Sequence, residues 1–215
     1  DIAVVNDASA DGTITEALEA GAMVLPHAVN LGYGAALESG YLHALQAGYD
    51  IVLQMDGDGQ HLASELPAIL APVASGEADL VLGSRYLAGG PPYRCPFIKR
   101  FGQQLFGAIL RLVTGRRFTD PTSGFQALGR NAIRLFAGGV FPCDYPDADV
   151  LLMAHLAGLR IREVPTRMAN RGGGQSMHSG LKPVYYAMKM MLSIFIVLLN
   201  YHVWRRWHSA LYGEH

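Results

Sequence analysis

The chain has little cysteine and little charge, and each shortage excludes a class of protein. Its 215 residues include only two cysteines, Cys95 and Cys143, which are too isolated for a zinc site or a disulfide scaffold and are typical of a reducing compartment. Charged residues make up 16% of the chain, and the formal net charge is -1. A chain-wide electrostatic attraction to nucleic acid is therefore not expected.

The N-terminal sequence also lacks the usual features of a complete start. No signal peptide is visible, and residues 1–7 read as a strand already in progress, without a preceding Met, cap or turn. We therefore expect that an N-terminal piece is missing.

The chain contains no apolar run of the roughly 20 residues that a membrane-spanning helix needs. The nearest approach is residues 190–199, which Ser193 interrupts and polar residues flank. Tyrosines, tryptophans, lysines and arginines surround this run, and such residues settle at a lipid headgroup boundary. We predict that residues 181–215 form an amphipathic helical tail at a membrane interface. The alternative is a core helix packed on a sheet.

Half of the residues are hydrophobic, enough to bury a substantial core. Short apolar runs alternate with amphipathic stretches over residues 1–180, which predicts an α/β fold with a mostly parallel sheet flanked by helices. The predicted strands are residues 2–5, 22–25, 50–55, 79–83 and 159–164. The predicted helices include residues 34–47, residues 97–113 and a segment that begins at Pro146 and ends at Gly158.

Two carboxylates and an amide follow the third predicted strand directly. They belong to Asp56, Asp58 and Gln60. Mg2+ and Mn2+ prefer oxygen ligands and are commonly shared between one or two carboxylates and the phosphates of a substrate. This motif therefore predicts a metal site that faces the diphosphate of a nucleotide-sugar donor. A solvated acidic turn is the alternative, because Asp-x-Asp by itself is a common sequence.

Two other ligand motifs fit the sequence less well. An EF-hand loop starting at Asp56 would place His61 where glycine is needed and Pro67 where glutamate is needed. A dinucleotide-binding loop at Gly32-Tyr33-Gly34 would place Leu37 at the third glycine.

Several short motifs follow one another along the chain from residue 2 to about residue 180. They are Val5 to Thr13, Asn30 to Ala36, Asp56 to His61, Gly83 to Tyr86, Asp120 to Phe125, Glu163 to Pro165 and Arg171 to Ser176. Together they resemble the family 2 glycosyltransferases of GT-A fold. The resemblance is to the branch that includes dolichyl-phosphate mannosyltransferase and bacterial polyisoprenyl-phosphate glycosyltransferases.

The chain departs from the family pattern in two places. The family begins with a central strand and a helix that are absent here, so we expect a gap with unpaired strand edges. Asn6 stands where the family has the first Asp of an acidic pair. Asp7 remains to bind the base or ribose.

The resemblance implies a role for each motif on the donor side. Asp56 and Asp58 would hold Mg2+ or Mn2+ against the diphosphate, with Gln60 as a further ligand or supporting partner, and Asp58 would be catalytic. A flexible loop would close over the phosphates and exclude water. The residues implied in donor binding are Asp7, Asn30, Asp56, Arg171 and Ser176.

On the acceptor side, a lipid phosphate is already an anion at neutral pH and needs cationic positioning more than a general base. Arg85, Lys99 and Arg100 are the candidates, although Lys99 and Arg100 would equally suit a solvated helix face. Asp120 stands where the family places an acid near the reacting centre, and its alternative role is to cap the turn at Pro121.

These expectations combine into one function. The chain would be a metal-dependent inverting glycosyltransferase that moves a sugar from a nucleotide-diphospho-sugar to a polyprenyl phosphate at the cytoplasmic face of a membrane. One alternative is a family 2 enzyme acting on a saccharide hydroxyl, with Asp120 as the base. The other is a truncated, non-catalytic GT-A remnant.

Overall fold

A computed structural model describes residues 1–87, 97–142, 146–169 and 182–212. The strands are β1 (Ala3–Asn6), β2 (Met23–Pro26), β3 (Ile51–Gln54), β4 (Leu80–Ser84), β5 (Gln126–Gly129) and β6 (Ile161–Pro165). The helices are α1 (Thr13–Glu19), α2 (Tyr33–Gln46), α3 (Leu66–Ala74), α4 (Phe97–Thr114), α5 (Arg130–Phe136), α6 (Ala148–Leu156), α7 (Lys182–Leu199) and α8 (Tyr201–Tyr212).

Four strands form the main sheet in the order β3-β5-β4-β6. β3, β4 and β6 run in one direction and β5 runs in the other, since β5 pairs antiparallel with both of its neighbours. The α/β class and the prevailing parallel direction are thus confirmed. β5 was not predicted, because its residues Gln-Ala-Leu-Gly include none of the β-branched or aromatic residues that favour strands.

β1 and β2 form a separate parallel pair, in which Ala3 lies opposite Met23. Within the described ranges, β1 and β3 each pair along one edge only. Helix α2 connects the two sheets, because it packs on β1 and also on α5, which lies beside β3. Gly40 of α2 allows the close approach, since a Cβ there would lie 3.4 Å from Cγ2 of Val5.

The core lies on both faces of the main sheet. Along β4 the side chains alternate: Leu80 and Leu82 enter the larger cluster, with Phe106 of α4 and Phe136 of α5, as expected for the period of two in a strand. Val81 faces the opposite side and packs in a smaller cluster under α3. A strand buried on both faces positions its C-terminal end rigidly.

The two faces of α7 have different environments. Met190, Ile194 and Val197 are spaced along one face and are buried in the larger cluster. Apolar side chains on the other face are exposed, namely Met188, Leu192, Phe195 and Leu199. In the described part of the chain, no helix by itself has the length and apolar character for a bilayer crossing; Tyr185–Leu199 and Tyr201–Ser209 reach them only as a pair, across a bend of 59°.

Candidate active site

Asp56 and Arg85, two of the predicted site residues, lie at one edge of the main sheet. Asp56 follows the end of β3, and Arg85 follows the end of β4. β3, β4 and β6 run in the same direction, so their C-terminal ends lie on one side of the sheet. This edge is where α/β proteins bind ligands.

The carboxylate of Asp56 is held from two sides. The hydroxyl of Tyr33 donates a hydrogen bond to Oδ1 at 2.8 Å. On the other side the backbone of Gly124 comes so close that a Cβ there would lie 2.8 Å from Oδ2. A glycine in the Asp120 to Phe125 motif is therefore required by the position of the Asp56 carboxylate.

His61 fixes the turn that carries Asp56. Its Nδ1 accepts the backbone N–H of Asp56 at 3.0 Å, and its ring stacks on Phe125 with centroids 4.7 Å apart. Burial lowers the pKa of His61, although the carboxylates of Asp56 and Asp58 oppose this shift. The ring is therefore a neutral structural support for the acidic turn.

Asp58 and Gln60 belong to the same turn. Oδ1 of Asp58 accepts the backbone N–H of Gln60 at 3.1 Å. The side-chain amide of Gln60 donates to the carbonyl of Ala169 at 3.4 Å, and the N–H of Ala169 donates to the carbonyl of Gln60 at 2.9 Å. The segment after β6 thus anchors the turn, and the bond to Ala169 uses the amide nitrogen of Gln60 and not its amide oxygen.

This donor set fits one kind of metal site. The described ranges contain no group of three or more His, Cys, Asp or Glu side chains that could hold a metal ion. Two carboxylates and an amide oxygen suit Mg2+ or Mn2+, which usually keep waters and substrate phosphates in their coordination shell.

Arg85 and Asp120 are bonded to each other. Nε of Arg85 donates to Oδ2 of Asp120 at 2.6 Å and Nη2 donates to Oδ1 at 2.7 Å, while the backbone N–H of Arg85 adds a third bond at 3.1 Å. Asp120 is fully buried. A carboxylate engaged in this way orients the guanidinium and is poorly suited to act as a base.

The Glu163 carboxylate holds the loop that carries Asp120. It accepts the backbone N–H of Asp120 at 3.0 Å and both the N–H and the hydroxyl of Thr119 at 2.9 Å. The sequence analysis assigned no role to Glu163. It also missed Gln103, whose amide reaches Asp120 Oδ1 at 3.4 Å from α4.

Asp147, just before α6, is a further titratable group at this edge. Burial raises its pKa to about 7; the carboxylates of Asp149 and Asp56 add to the rise, and the Tyr186 hydroxyl and the Arg85 guanidinium oppose it. Tyr186 of α7 donates its hydroxyl to Oδ2 of Asp147. A second Asp-x-Asp pattern, formed by Asp147 and Asp149 at the start of α6, is the feature of the sequence that marks this group.

Asp7 and Asn30 meet at the end of β1. Asp7 accepts the backbone N–H groups of Leu31 and Gly32, each at 2.8 Å, and its Oδ1 lies 2.7 Å from Nδ1 of His27. The bond from Leu31 is the largest of the hydrogen bonds that lower the pKa of Asp7. Asn30 donates to the carbonyl of Asp7 at 3.3 Å, so Asp7 organises this loop.

The neighbouring Asn6 has a different environment. It is 3% exposed, and its Oδ1 has no hydrogen-bond partner among the residues that the structure describes. A buried polar atom of this kind is commonly completed by a ligand or water. Four predicted site residues cannot be placed: Arg171 and Ser176 lie outside the described residues, as do the side chains of Lys99 and Arg100 of α4.

Comparison with known proteins identifies the family of the chain. The model of the family described as Glycosyl transferase family 2 matches residues 1–136, which contain Asp7, Asp56, Asp58, Arg85 and Asp120. The chain belongs to glycosyl transferase family 2. It is therefore a glycosyltransferase, and the resemblance seen in its motifs is confirmed.

Two relatives of this family 2 glycosyltransferase have names that specify a polyprenyl substrate or product. The undecaprenyl-phosphate mannosyltransferase of Micrococcus luteus is 33% identical over 84% of this chain and 76% of its own length. The polyprenol monophosphomannose synthase of Mycolicibacterium smegmatis is 32% identical over 83% of this chain and 70% of its own length.

Solved structures show the same fold. The glucosyl-3-phosphoglycerate synthase of Mycobacterium tuberculosis, in complex with phosphoglyceric acid, superimposes with a TM-score of 0.64 at 22% identity and covers 94% of this chain and 68% of the synthase. At this identity the likeness establishes the GT-A fold of the family 2 glycosyltransferase and no more.

Proposed function

We propose that this family 2 glycosyltransferase moves a sugar from a nucleotide-diphospho-sugar to a polyprenyl phosphate, with inversion and with Mg2+ or Mn2+. The observation that carries the proposal is the joint position of the Asp56 turn and the Arg85–Asp120 pair at one edge of the sheet. The first supplies oxygen ligands for a cation and diphosphate, and the second supplies a fixed guanidinium for an acceptor phosphate.

On the donor side, Asp56, Asp58 and Gln60 would hold the cation against the diphosphate. When bound, a divalent cation stabilises the charge that develops on the leaving nucleoside diphosphate. The M. tuberculosis glucosyl-3-phosphoglycerate synthase has been crystallised with Mn2+ and UDP-glucose, which supports the same use of a cation here. Asp58 is the residue on which we expect transfer to depend most.

The nucleoside would lie at the end of β1. Asp7 already shapes the loop that Asn30 belongs to, and the buried oxygen of Asn6 offers an acceptor to a ligand N–H. Arg171 and Ser176 would close over the phosphates from their glycine-rich loop and exclude water, which otherwise competes as an acceptor.

The acceptor phosphate would bind Arg85. Its second ionisation near pH 6 leaves it anionic at neutral pH, so it attacks without a strong base. Asp120 then acts by holding Arg85 in a fixed orientation, and Lys99 and Arg100 are additional cationic candidates on α4. The names of the M. luteus and M. smegmatis relatives support this class of acceptor.

One observation favours a second candidate, transfer to a saccharide hydroxyl. Such an acceptor needs a base whose pKa lies near the working pH. Asp120 is not placed for this role, because Arg85 engages both of its oxygens. Asp147 meets the requirement, with its pKa raised to about 7 by burial, and would replace Asp120 as the base.

The exposed apolar face of α7 would lie on the cytoplasmic leaflet of a membrane. Contiguous exposed apolar side chains mark interaction surfaces, and Met188, Leu192 and Phe195 belong to this face. Sedimentation with anionic vesicles tests the idea. Leu192→Glu with Phe195→Glu should abolish sedimentation and leave the unfolding temperature unchanged; equal sedimentation of the variant would contradict membrane binding through α7.

Transfer itself is tested with labelled UDP- and GDP-sugars and undecaprenyl phosphate, followed by extraction of the lipid product. We expect labelled lipid in Mn2+ and none in EDTA. Asp58→Asn should lower the rate of transfer at least about 100-fold. A parallel assay with a free saccharide acceptor identifies the second candidate. A folded chain that transfers to neither acceptor would support the non-catalytic remnant.

A further inference from the structure

A line of hydrogen bonds connects the protein core to Asp56. The hydroxyl of Tyr41 donates to Oε1 of Gln54, and Nε2 of Gln54 donates to the hydroxyl oxygen of Tyr33 at 3.4 Å. Tyr33 in turn donates to Oδ1 of Asp56 at 2.8 Å. Each group donates a hydrogen bond to the next, so all the bonds in the line point the same way, and the last acceptor is the carboxylate of Asp56.

Simple periodicities place these four groups together. Tyr33 and Tyr41 are eight residues apart, so both lie on the stripe of α2 that faces the sheet. Gln54 ends β3 and Asp56 comes two residues later, so in extended chain their side chains point to the same side. The line therefore ties the helix that spans the two sheets to the turn that carries the metal ligands.

The inner end of the line is rigid. Tyr41 is 3% exposed, and its ring packs against Phe136 and Phe141 with centroids 5.5 and 5.3 Å away. Gln54 is also buried. Because a buried polar group must be hydrogen-bonded, Tyr41 and Gln54 have little freedom to reorient, and they fix the hydroxyl of Tyr33 in turn.

The outer end is where this rigidity matters. The Asp56 side chain is 36% exposed, and in the described part of the chain the hydroxyl of Tyr33 is the only group that donates a hydrogen bond to its carboxylate. The ring nitrogen Nε2 of His61 lies 3.9 Å from Oδ2, too far for such a bond. Without Tyr33 the carboxylate would lose this hydrogen bond, and the close approach of Gly124 would remain as its restraint.

We propose that Tyr33 is a positioning residue that presents Asp56 to the divalent cation, with Gln54 and Tyr41 as its support. The inference rests on the proposed function, since it assumes that Asp56 is a metal ligand. Hydrogen-bond partners of metal ligands tune affinity, and their loss typically weakens metal binding about 10- to 100-fold. Tyr33 should therefore act on metal binding before it acts on any later step.

Tyr33→Phe tests the inference, because it removes only the hydroxyl. The measurement is Mn2+ binding to the purified chain without nucleotide, read from the electron paramagnetic resonance signal of free Mn2+. We expect Kd for Mn2+ to rise about 10-fold or more, and the Mn2+ concentration for half-maximal transfer to rise with it. Affinity for UDP in EDTA should not change.

Two variants serve as controls. Tyr49→Phe makes the same substitution where the hydroxyl bonds Asp1 instead, and it should bind Mn2+ like the wild type. Tyr41→Phe removes the support but not the last bond, so it should raise Kd by less than Tyr33→Phe does. Thermal unfolding of each variant separates a loss of metal affinity from a loss of fold.

The outcomes are distinct. If the wild type binds Mn2+ and folded Tyr33→Phe binds it with the same Kd, the inference is overturned and the proposed function is left intact. A folded wild type that binds no Mn2+, either alone or with UDP or GDP present, would overturn both.

Discussion

The two ends of the site are held very differently. At the end formed by β3 and β4, Asp120 is engaged by Arg85, and Asp56 is fixed by Tyr33 and by the close approach of Gly124. At the end formed by β1 and β2, Asp7 holds its own loop, but the buried oxygen of Asn6 has no partner among the described residues. That end belongs to a sheet of two strands.

The difference indicates which groups of the site the fold orients before a ligand binds. Stabilising charge in a reaction requires donors and ligands that are already oriented, and under the proposed function the β3–β4 end would provide them. The β1–β2 end would only have to bind a nucleoside. Substitutions at the first end should change stability and rate strongly, whereas substitutions at the second should change affinity modestly.

The Arg85–Asp120 pair offers the largest expected effect. Arg85→Met leaves the Asp120 carboxylate buried without its partner, which costs about 3–5 kcal/mol of unfolding free energy. Urea unfolding measures it. As a matched control, Arg130→Met breaks the exposed pair with Asp50 and should cost under about 1 kcal/mol.

A double variant sharpens this result. Arg85→Met with Asp120→Leu removes both charges and should recover most of the lost stability, because an apolar pair can replace a buried ion pair. Transfer should stay lost, since the acceptor phosphate has no guanidinium. Recovery of transfer would contradict the role of Arg85.

Asp147 gives the next largest effect and makes stability depend on pH. Its pKa is raised from 3.8 to about 7 by burial, so between these pH values the folded chain binds more protons than the unfolded chain. Stability therefore falls as pH rises through this window, by up to about 4 kcal/mol at about 1.4 kcal/mol per pKa unit. Urea unfolding from pH 4 to pH 8 measures the fall.

Asp147→Asn should remove the part of that dependence that Asp147 contributes, because an amide does not titrate; the part that comes from Asp149, whose pKa burial also raises, should remain. The same variant separates the two acceptors. Transfer to a lipid phosphate should persist, and transfer to a saccharide hydroxyl should fall about 100-fold or more, as expected for loss of a general base. A pH dependence of stability equal to that of the wild type would contradict the assignment.

Gly124→Ala tests how tightly Asp56 is held. A Cβ at this position would lie 2.8 Å from Oδ2, so the carboxylate must shift, at a cost of about 1–3 kcal/mol. Mn2+ affinity should fall with stability. Gly102→Ala is the control, because a Cβ there meets no atom within 4 Å; equal Mn2+ affinity in both variants would show that Asp56 is not confined.

Among the changes in ligand binding, Asn6→Asp should have the smallest effect. It restores the acidic pair of the family and changes the buried amide to a carboxylate beside Asp7, so UDP and GDP affinities should change by about 10-fold or less, or about 1.4 kcal/mol. Calorimetric titration measures this. A change of several hundredfold in either affinity would remove the contrast between the two ends of the site.

The sequence was sufficient to predict the fold class and the acidic turn, because both depend on local order. The apolar run before Asp56 predicts a strand, and the carboxylates after it fall at a strand end. β5 was missed for the opposite reason. Its four residues owe their strand conformation to pairing with β3 and β4, which are distant in sequence.

The partners of the site residues could not be predicted. Arg85 and Asp120 were assigned separate roles, and their ion pair joins residues 35 positions apart. The same limit applies to Tyr33 and Asp56, and to Asp147, whose raised pKa comes first from burial. Burial and long-range contact are properties of the folded chain, and neither is encoded in a local motif.

The central claim is that Asp56 and Asp58 form a cation-dependent donor site. Calorimetric titration of UDP and GDP into the purified chain, in Mn2+ and in EDTA, tests it most directly. The account predicts that one nucleotide binds in Mn2+, that its affinity falls sharply in EDTA, and that Asp58→Asn binds as weakly as the wild type does in EDTA. Equal affinity in Mn2+ and EDTA, or no binding by a chain shown to be folded, would contradict it.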